Sequence, residues 1–152
     1  DQISFKKGFY LMKRPYKAMD VAKYIITKCA RNEHPISNLQ LQKILYILQK
    51  EYLQRDQKCL FFDDFEAWAF GPNIPNVYYY FCGFGSMPIQ AEYDIKLDLK
   101  DTKIIDPVVE RKRNLKPWDL LPETQNGAWN IVYQKGEQNV IPLSLIKQLE
   151  IN

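Results

Sequence analysis

The chain has 152 residues, 46% of them hydrophobic and 26% charged, with a formal net charge of +3. That length fits one domain with room for a core that needs no metal or disulfide, and that composition is ordinary for a globular protein. No apolar run reaches about 18 residues, so a membrane-spanning helix is not expected.

The charge is uneven. Residues 1–17 carry Lys6, Lys7, Lys13, Arg14 and Lys17 against Asp1, a net of +4, while the other 135 residues hold 16 basic and 17 acidic groups. The segment reads as a basic N-terminal arm, a solvated tail open to disorder, ahead of one domain over 18–152. A second basic cluster, Arg111, Lys112, Arg113 and Lys116, is local. A nucleic-acid domain would show a broader basic face. The arm lacks the apolar core of a signal peptide, and Met12 and Met19 both suit a natural start. Three cysteines, Cys29, Cys59 and Cys82, are odd in number and widely spaced, so no disulfide framework is expected and a reducing cytoplasm is the natural compartment.

In chain order, residues 18–33 predict a helix, with Val21, Ala22, Ile25, Ile26 and Cys29 on one face. "HPIS" breaks it, and Ser37 or Asn38 caps a second helix over 38–55. There Leu41, Ile44, Leu45, Leu48 and Tyr52 share a face, while Gln42, Lys43, Gln49 and Lys50 fall mostly on others. A short strand at 66–69 ends at Gly71-Pro72. Pro75 opens a third helix that stops at Gly83 and Gly85. "YDIKLDL" alternates as a half-buried strand would, though an ordered loop fits equally. A helical pattern returns near 102, where Pro107 is tolerable only in a first turn. Short helices follow at 117–125, with Leu120 and Leu121 as core contacts, and from Pro142, with Leu143, Ile146 and Leu149 inward. "GAWNIVYQKG" suits helix or strand. The fold class expected is mainly α, a compact helical domain with a small β element.

Chemistry is sparse. One His and three scattered Cys without CxxC spacing cannot supply the four ligands of a structural zinc site. A nucleophile–base pair would have to use His34, which sits in a loop before Pro35, while Cys29 lies on an apolar face as a buried thiol. Asp63, Asp64 and Glu66 could begin a divalent-metal hydrolase site, but further converging carboxylates are not evident. "CGFGS" follows a helix rather than a strand and is not a phosphate loop. No catalytic, cofactor or metal residue is assigned, and the expectation is a non-enzymatic protein. The second helix exposes only Lys43 and Lys50, few for a recognition helix, so nucleic-acid binding through the arm is the second reading and the metal-dependent hydrolase the third.

"LQLQKILYILQKEYLQ" followed by "FEAWAFGPNIPNVYYYF" resembles the SocA-like antitoxin family, also called the Panacea domain, which includes phage-associated proteins of the GepA type. The family pattern falls on Leu41, Gln42, Lys43, Leu45 and Tyr46, then on Glu66, Ala67, Trp68, Gly71, Pro72, Val77 and Tyr78. The C-terminal block is similar around Trp129, but Thr124-Gln125 stands where the family carries Thr-His. The resemblance implies a phage or mobile-element antitoxin. Its partner would be a cognate toxin encoded nearby, with delivery to a Clp-type protease as one route. We expect Trp68 and the 78–81 aromatics mainly in the core, Glu66 paired with Lys43, and Tyr79, Phe84 and Met87 as partner contacts, since interfaces draw on such residues. No membrane and no nucleic acid are expected as partners.

Overall fold

The computed structural model describes residues 2–6 and 9–151. Asp1 and Lys7 of the basic arm lie outside the described residues.

Two helices form the centre. α1, Ala18–Arg31, buries Val21, Ala22, Ile25, Ile26 and Cys29, the face its spacing predicts. Lys17 provides no side-chain cap for it. The carboxylate of Asp63, from a distant loop, accepts from the Ala18 amide instead (2.9 Å), which places negative charge on a helix N-terminus. α2, Asn38–Asp56, starts with a capping box: Ser37 Oγ accepts from the Gln40 amide (3.2 Å) and Gln40 Oε1 accepts from the Ser37 amide (3.0 Å).

α2 departs from its expected pattern. Gln42, Lys43 and Gln49 are buried as deeply as the leucines, at 0%, 1% and 2% exposure. The cause is position. α1 and the segments Gly71–Asn73, Pro75–Phe81, Leu99–Lys112, Leu121–Thr124 and Leu143–Glu150 surround this helix, so it has no wide solvent face for a helical period to mark.

β3, Phe65–Trp68, is the middle strand of a small antiparallel sheet. β4, Gly71–Asn73, pairs on one edge with Trp68 opposite Gly71. β5, Asn139–Ile141, pairs on the other with Phe65 opposite Ile141. Gly71-Pro72 does not merely end the strand; it opens the returning one. Gly71 sits at φ +122°, which favours glycine. α3, Pro75–Phe81, has its proline in the first turn as expected and runs into a 3₁₀ turn, Cys82–Phe84, that Gly85 ends.

The alternating segment after it is an ordered loop, not a strand. It touches the N-terminal region through an isolated bridge from Leu97 to Met12. The Tyr93 amide holds it to α1 by donating to Thr27 Oγ1 (2.8 Å). α4, Leu99–Lys112, carries Pro107 in its interior rather than its first turn. Pro107 and Lys103 are both exposed, so water can take the carbonyl left without an amide partner. The 3₁₀ turn Pro117–Leu120 leads into α5, Leu121–Thr124. Leu120 is buried, but Leu121 is exposed, contrary to expectation. Ala128–Tyr133 is helical, α6. α7, Leu143–Glu150, packs on α2 and α6 through a stripe centred on buried Ile146, which leaves Leu149 at its end exposed.

β1, Gln2–Lys6, and β2, Phe9–Lys13, pair as an antiparallel hairpin. Beyond it the chain is fixed to the body. Tyr16 is buried, its amide donates to the Leu60 carbonyl (2.9 Å), and its hydroxyl donates to Asp101 (2.5 Å). Among the described residues the architecture is mainly α, with seven α-helices and small β elements.

Candidate functional site

The residues singled out by sequence converge where α2 meets the β3–β4 hairpin and α3. Leu41 and Leu45 are fully buried core contacts. Gln42 is a two-ended connector. Its Oε1 accepts from the Ile74 amide (2.9 Å), its Nε2 donates to Asn38 Oδ1 (3.3 Å), and Asn38 Nδ2 donates to the Tyr78 carbonyl (3.0 Å). The start and the middle of α3 are thereby tied to one face of α2. Tyr46 sets its ring edge-on to Phe65 (5.0 Å) and donates to Glu150 Oε2 (3.3 Å). Burial pushes its hydroxyl pKa well above the ordinary tyrosine value.

Lys43 does not pair with Glu66. Its Nζ donates to the Phe70 carbonyl (2.7 Å) and to Gln125 Oε1 (3.4 Å). Glu66 accepts from its near neighbour Trp68 Nε1 (2.9 Å). In a strand, residues two apart share a face, and that local partner takes the carboxylate. Burial lowers the Lys43 pKa to about 8. Gln125, at the departure from the family pattern, links two elements: its Nε2 donates to the Ala69 carbonyl (3.4 Å). Trp129 Nε1 donates to the Trp68 carbonyl (2.8 Å), and the Trp129 ring stacks on Tyr133 at 4.7 Å. Ala67, Val77, Gly71 and Pro72 are buried. The motif is a set of interior connections.

The surface beside it is aromatic. Trp68, Phe70, Tyr78 and Tyr79 form a contiguous ring cluster with centroids 5.3 to 5.9 Å apart. Trp68 is buried and Tyr78 half-buried, but Tyr79 is 59% exposed and Tyr80 50%. The aromatic run therefore divides: Phe81 enters the core while Tyr79 and Tyr80 face outward. Met87 is 66% exposed, and Phe84 packs half-buried against the core. Next to the cluster lies a groove of about 340 Å³ lined by Leu39, Phe70, Tyr78 and Pro117.

The acidic trio does not converge. Asp63 caps α1, Glu66 holds Trp68, and Asp64 is exposed. Among the described residues no three His, Cys, Asp or Glu side chains are grouped to hold a metal ion. The His34 ring nitrogen lies 3.1 Å from the Arg113 carbonyl. Burial pushes the Cys29 and Cys59 thiols up, while Cys82 is exposed. Arg14 lies beside the end of α2, 4.9 Å over the Tyr52 ring, and is ion-paired with Asp56 at 2.6 Å.

Two features were not foreseen. Asp101 is a buried carboxylate that accepts from both Tyr16 and Tyr52 hydroxyls (2.5 and 2.7 Å). Trp118, 62% exposed beneath Lys116 Nζ at 5.2 Å, adds a further outward aromatic. Hydrophobicity alone marks Trp118 as core, and no local spacing links Asp101 to Tyr16.

A family model described as Antitoxin SocA-like, Panacea domain, matches residues 41–130. Antitoxin SocA of Caulobacter vibrioides (strain NA1000 / CB15N) is 43% identical over 68 residues, which is 45% of this chain and 36% of that relative. The similar stretch thus spans about a third of the relative's length. No solved structure matches.

Proposed function

The chain belongs to the SocA-like antitoxin family, Panacea domain, and on that premise we propose that it is a non-enzymatic antitoxin that binds and neutralises a toxin protein. The observation that carries this reading is the family match across residues 41–130, which takes in most of α2, the β3–β4 hairpin and α3. The surface chemistry supports it. The motif residues spend their polar groups inside, and the hairpin and α3 they position carry Tyr79 and Tyr80 outward, with Met87 just beyond. Outward Tyr and Met are residue types enriched at protein interfaces. Tyr79 and Met87 are the proposed anchors, with Phe84 contributing at its exposed edge. On this reading residues 18–152 form the binding unit, acting in the cytoplasm, and the basic segment before it is anchored to that unit by Arg14 and Tyr16. Delivery of the bound toxin to a Clp-type protease is the finer form of the same reading.

The test is co-expression. The neighbouring open reading frame is expressed alone and then with this protein, and surviving colonies are counted. Rescue with co-purification of the pair is expected. A toxic neighbour that this chain neither relieves nor binds would sink the reading. Rescue that vanishes in a strain lacking Clp proteases would support the delivery route.

A further inference from the structure

Four lysines from separate parts of the chain converge on one cleft. Lys13 closes the N-terminal hairpin, Lys58 follows α2, Lys100 lies in the first turn of α4, and Lys147 is on α7. The cleft between these elements holds about 760 Å³, within the range of small-molecule sites. All four lysines are exposed, and among the described residues none of them is ion-paired.

The carboxylates in the same wall are already engaged. Asp56 is paired with Arg14 (2.6 Å) and accepts from the Lys58 amide (3.0 Å). Asp101 accepts from Tyr16 and Tyr52 (2.5 and 2.7 Å). Asp98 accepts from the Lys100 amide (3.1 Å) as the α4 cap. The acidic groups therefore face protein donors, and the lysines are left to face a ligand. Phe62, 73% exposed, stands in the same lining. A ring there offers a flat apolar surface beside concentrated positive charge. Phosphate on lysines with a base on an aromatic face is a recurrent way to hold a nucleotide.

We propose that this cleft is a binding site for a small phosphorylated ligand of the nucleotide class. Lys13, Lys58, Lys100 and Lys147 hold the phosphates and Phe62 carries the base. The site stands apart from the aromatic face around Tyr79 and does not depend on the antitoxin reading.

The experiment is calorimetric titration of the full chain at low ionic strength, where exposed charges are least screened. The probes are ADP, inorganic pyrophosphate and adenosine. ADP and pyrophosphate are expected to bind, ADP more tightly, and adenosine not at all. Lys58→Ala with Lys147→Ala should weaken both phosphorylated probes by about tenfold or more, and the Lys→Arg pair should retain them. Phe62→Ala should reduce ADP to the level of pyrophosphate. These side chains are exposed, so thermal melts should be unchanged and loss of binding cannot be read as loss of fold. Absence of binding by both phosphorylated probes, an undiminished affinity in the double lysine variant, or adenosine binding as well as ADP would overturn the site. A single-stranded oligonucleotide that binds far more tightly than ADP, with a steep salt slope, would overturn it in favour of a nucleic-acid surface. None of these titrations involves a toxin, so their failure and a failure of rescue are separable.

Discussion

Lys43 Nζ donates to the carbonyl of Phe70 at 2.7 Å, reaching from the second turn of α2 to the turn between β3 and β4. The amine is surrounded by neutral acceptors, and desolvation lowers its pKa to about 8 from the ordinary 10.5. The sign of the pH effect follows. Below pH 8 the folded and unfolded chains both carry the ammonium, and the folded chain bears its desolvation. From about pH 8 upward the folded chain releases the proton while the unfolded chain keeps it, so stability rises with pH. Burial raises the Tyr16, Tyr46 and Tyr52 hydroxyls instead, and these act in the opposite sense above about pH 10. Wild type should therefore gain stability relative to Lys43→Met between about pH 7 and 9.5 in urea unfolding. A difference that stays flat across that window would show that Lys43 is not desolvated in the folded chain.

The neighbouring glycine is constrained twice. Gly71 has φ +122°, and a Cβ placed on it would lie 3.0 Å from Lys43 Nζ and 3.4 Å from Gln125 Cγ. Gly71→Ala should lower stability by about 1 to 3 kcal/mol through backbone strain. Gly83, which has open space around it, should accept alanine within about 0.5 kcal/mol. Equal melting temperatures for the two variants would remove the argument from backbone geometry.

Gln49 replaces a piece of secondary structure. Its Oε1 accepts from the Leu60 amide (2.8 Å) and its Nε2 donates to the Phe61 carbonyl (2.8 Å), all in the buried interior. Gln49→Leu keeps the side-chain volume roughly but strands both backbone groups. The expected loss is about 2 kcal/mol or more, measured as a shift in denaturant midpoint at unchanged slope. A neutral result would mean that water reaches the 60–61 backbone.

These two side chains explain what the sequence could and could not show. α1 was legible because its polar residues Asp20, Lys23 and Lys28 keep one face partly exposed while Val21, Ile25 and Cys29 repeat on the buried one. The start of α2 was legible because capping is local, written in Ser37 and Gln40. The burial of Gln42, Lys43 and Gln49 was not, because their partners at Ile74, Phe70 and Leu60 lie 11 to 32 residues away. Periodicity reads polarity as exposure, and only the tertiary fold reveals a polar group satisfied inside. Likewise β3 was visible as a short apolar strand, but its pairing with β5 spans more than seventy residues and leaves no local trace. The family pattern marks the motif positions, while their interior bonds depend on the tertiary fold. Residue type alone marks Tyr79 and Met87 as contact candidates, and both are exposed in the fold.

Asp101 couples the N-terminal segment to α2. Tyr16 and Tyr52 both donate to its carboxylate, from positions 36 residues apart in the chain. Each Tyr→Phe change should cost about 1 kcal/mol, with charge-assisted bonds at the upper end. Because the two donors share one acceptor, the double variant should deviate from the sum of the singles. Tyr16→Phe should also speed proteolytic cleavage near residues 12–17 more than Tyr52→Phe does. Strict additivity in the cycle, with no difference in cleavage, would show that the two hydroxyls act independently.

The division between interior motif and outward aromatics makes the partner face testable apart from the fold. Trp129 is 8% exposed and bonded to the Trp68 carbonyl, so Trp129→Ala should cost about 3 to 5 kcal/mol and lose rescue by losing the protein. Tyr79 and Met87 are 59% and 66% exposed. Tyr79→Ala and Met87→Ala should each stay within about 0.5 kcal/mol of wild type in stability. As interface anchors, however, each should weaken toxin binding by more than 1 kcal/mol, or about fivefold or more. Soluble protein level, melting temperature and affinity for the purified toxin are measured together. Variants that are stable, abundant and still bind at full strength would move the partner face away from α3, and the outward aromatics Phe62 and Trp118 would be the next to replace.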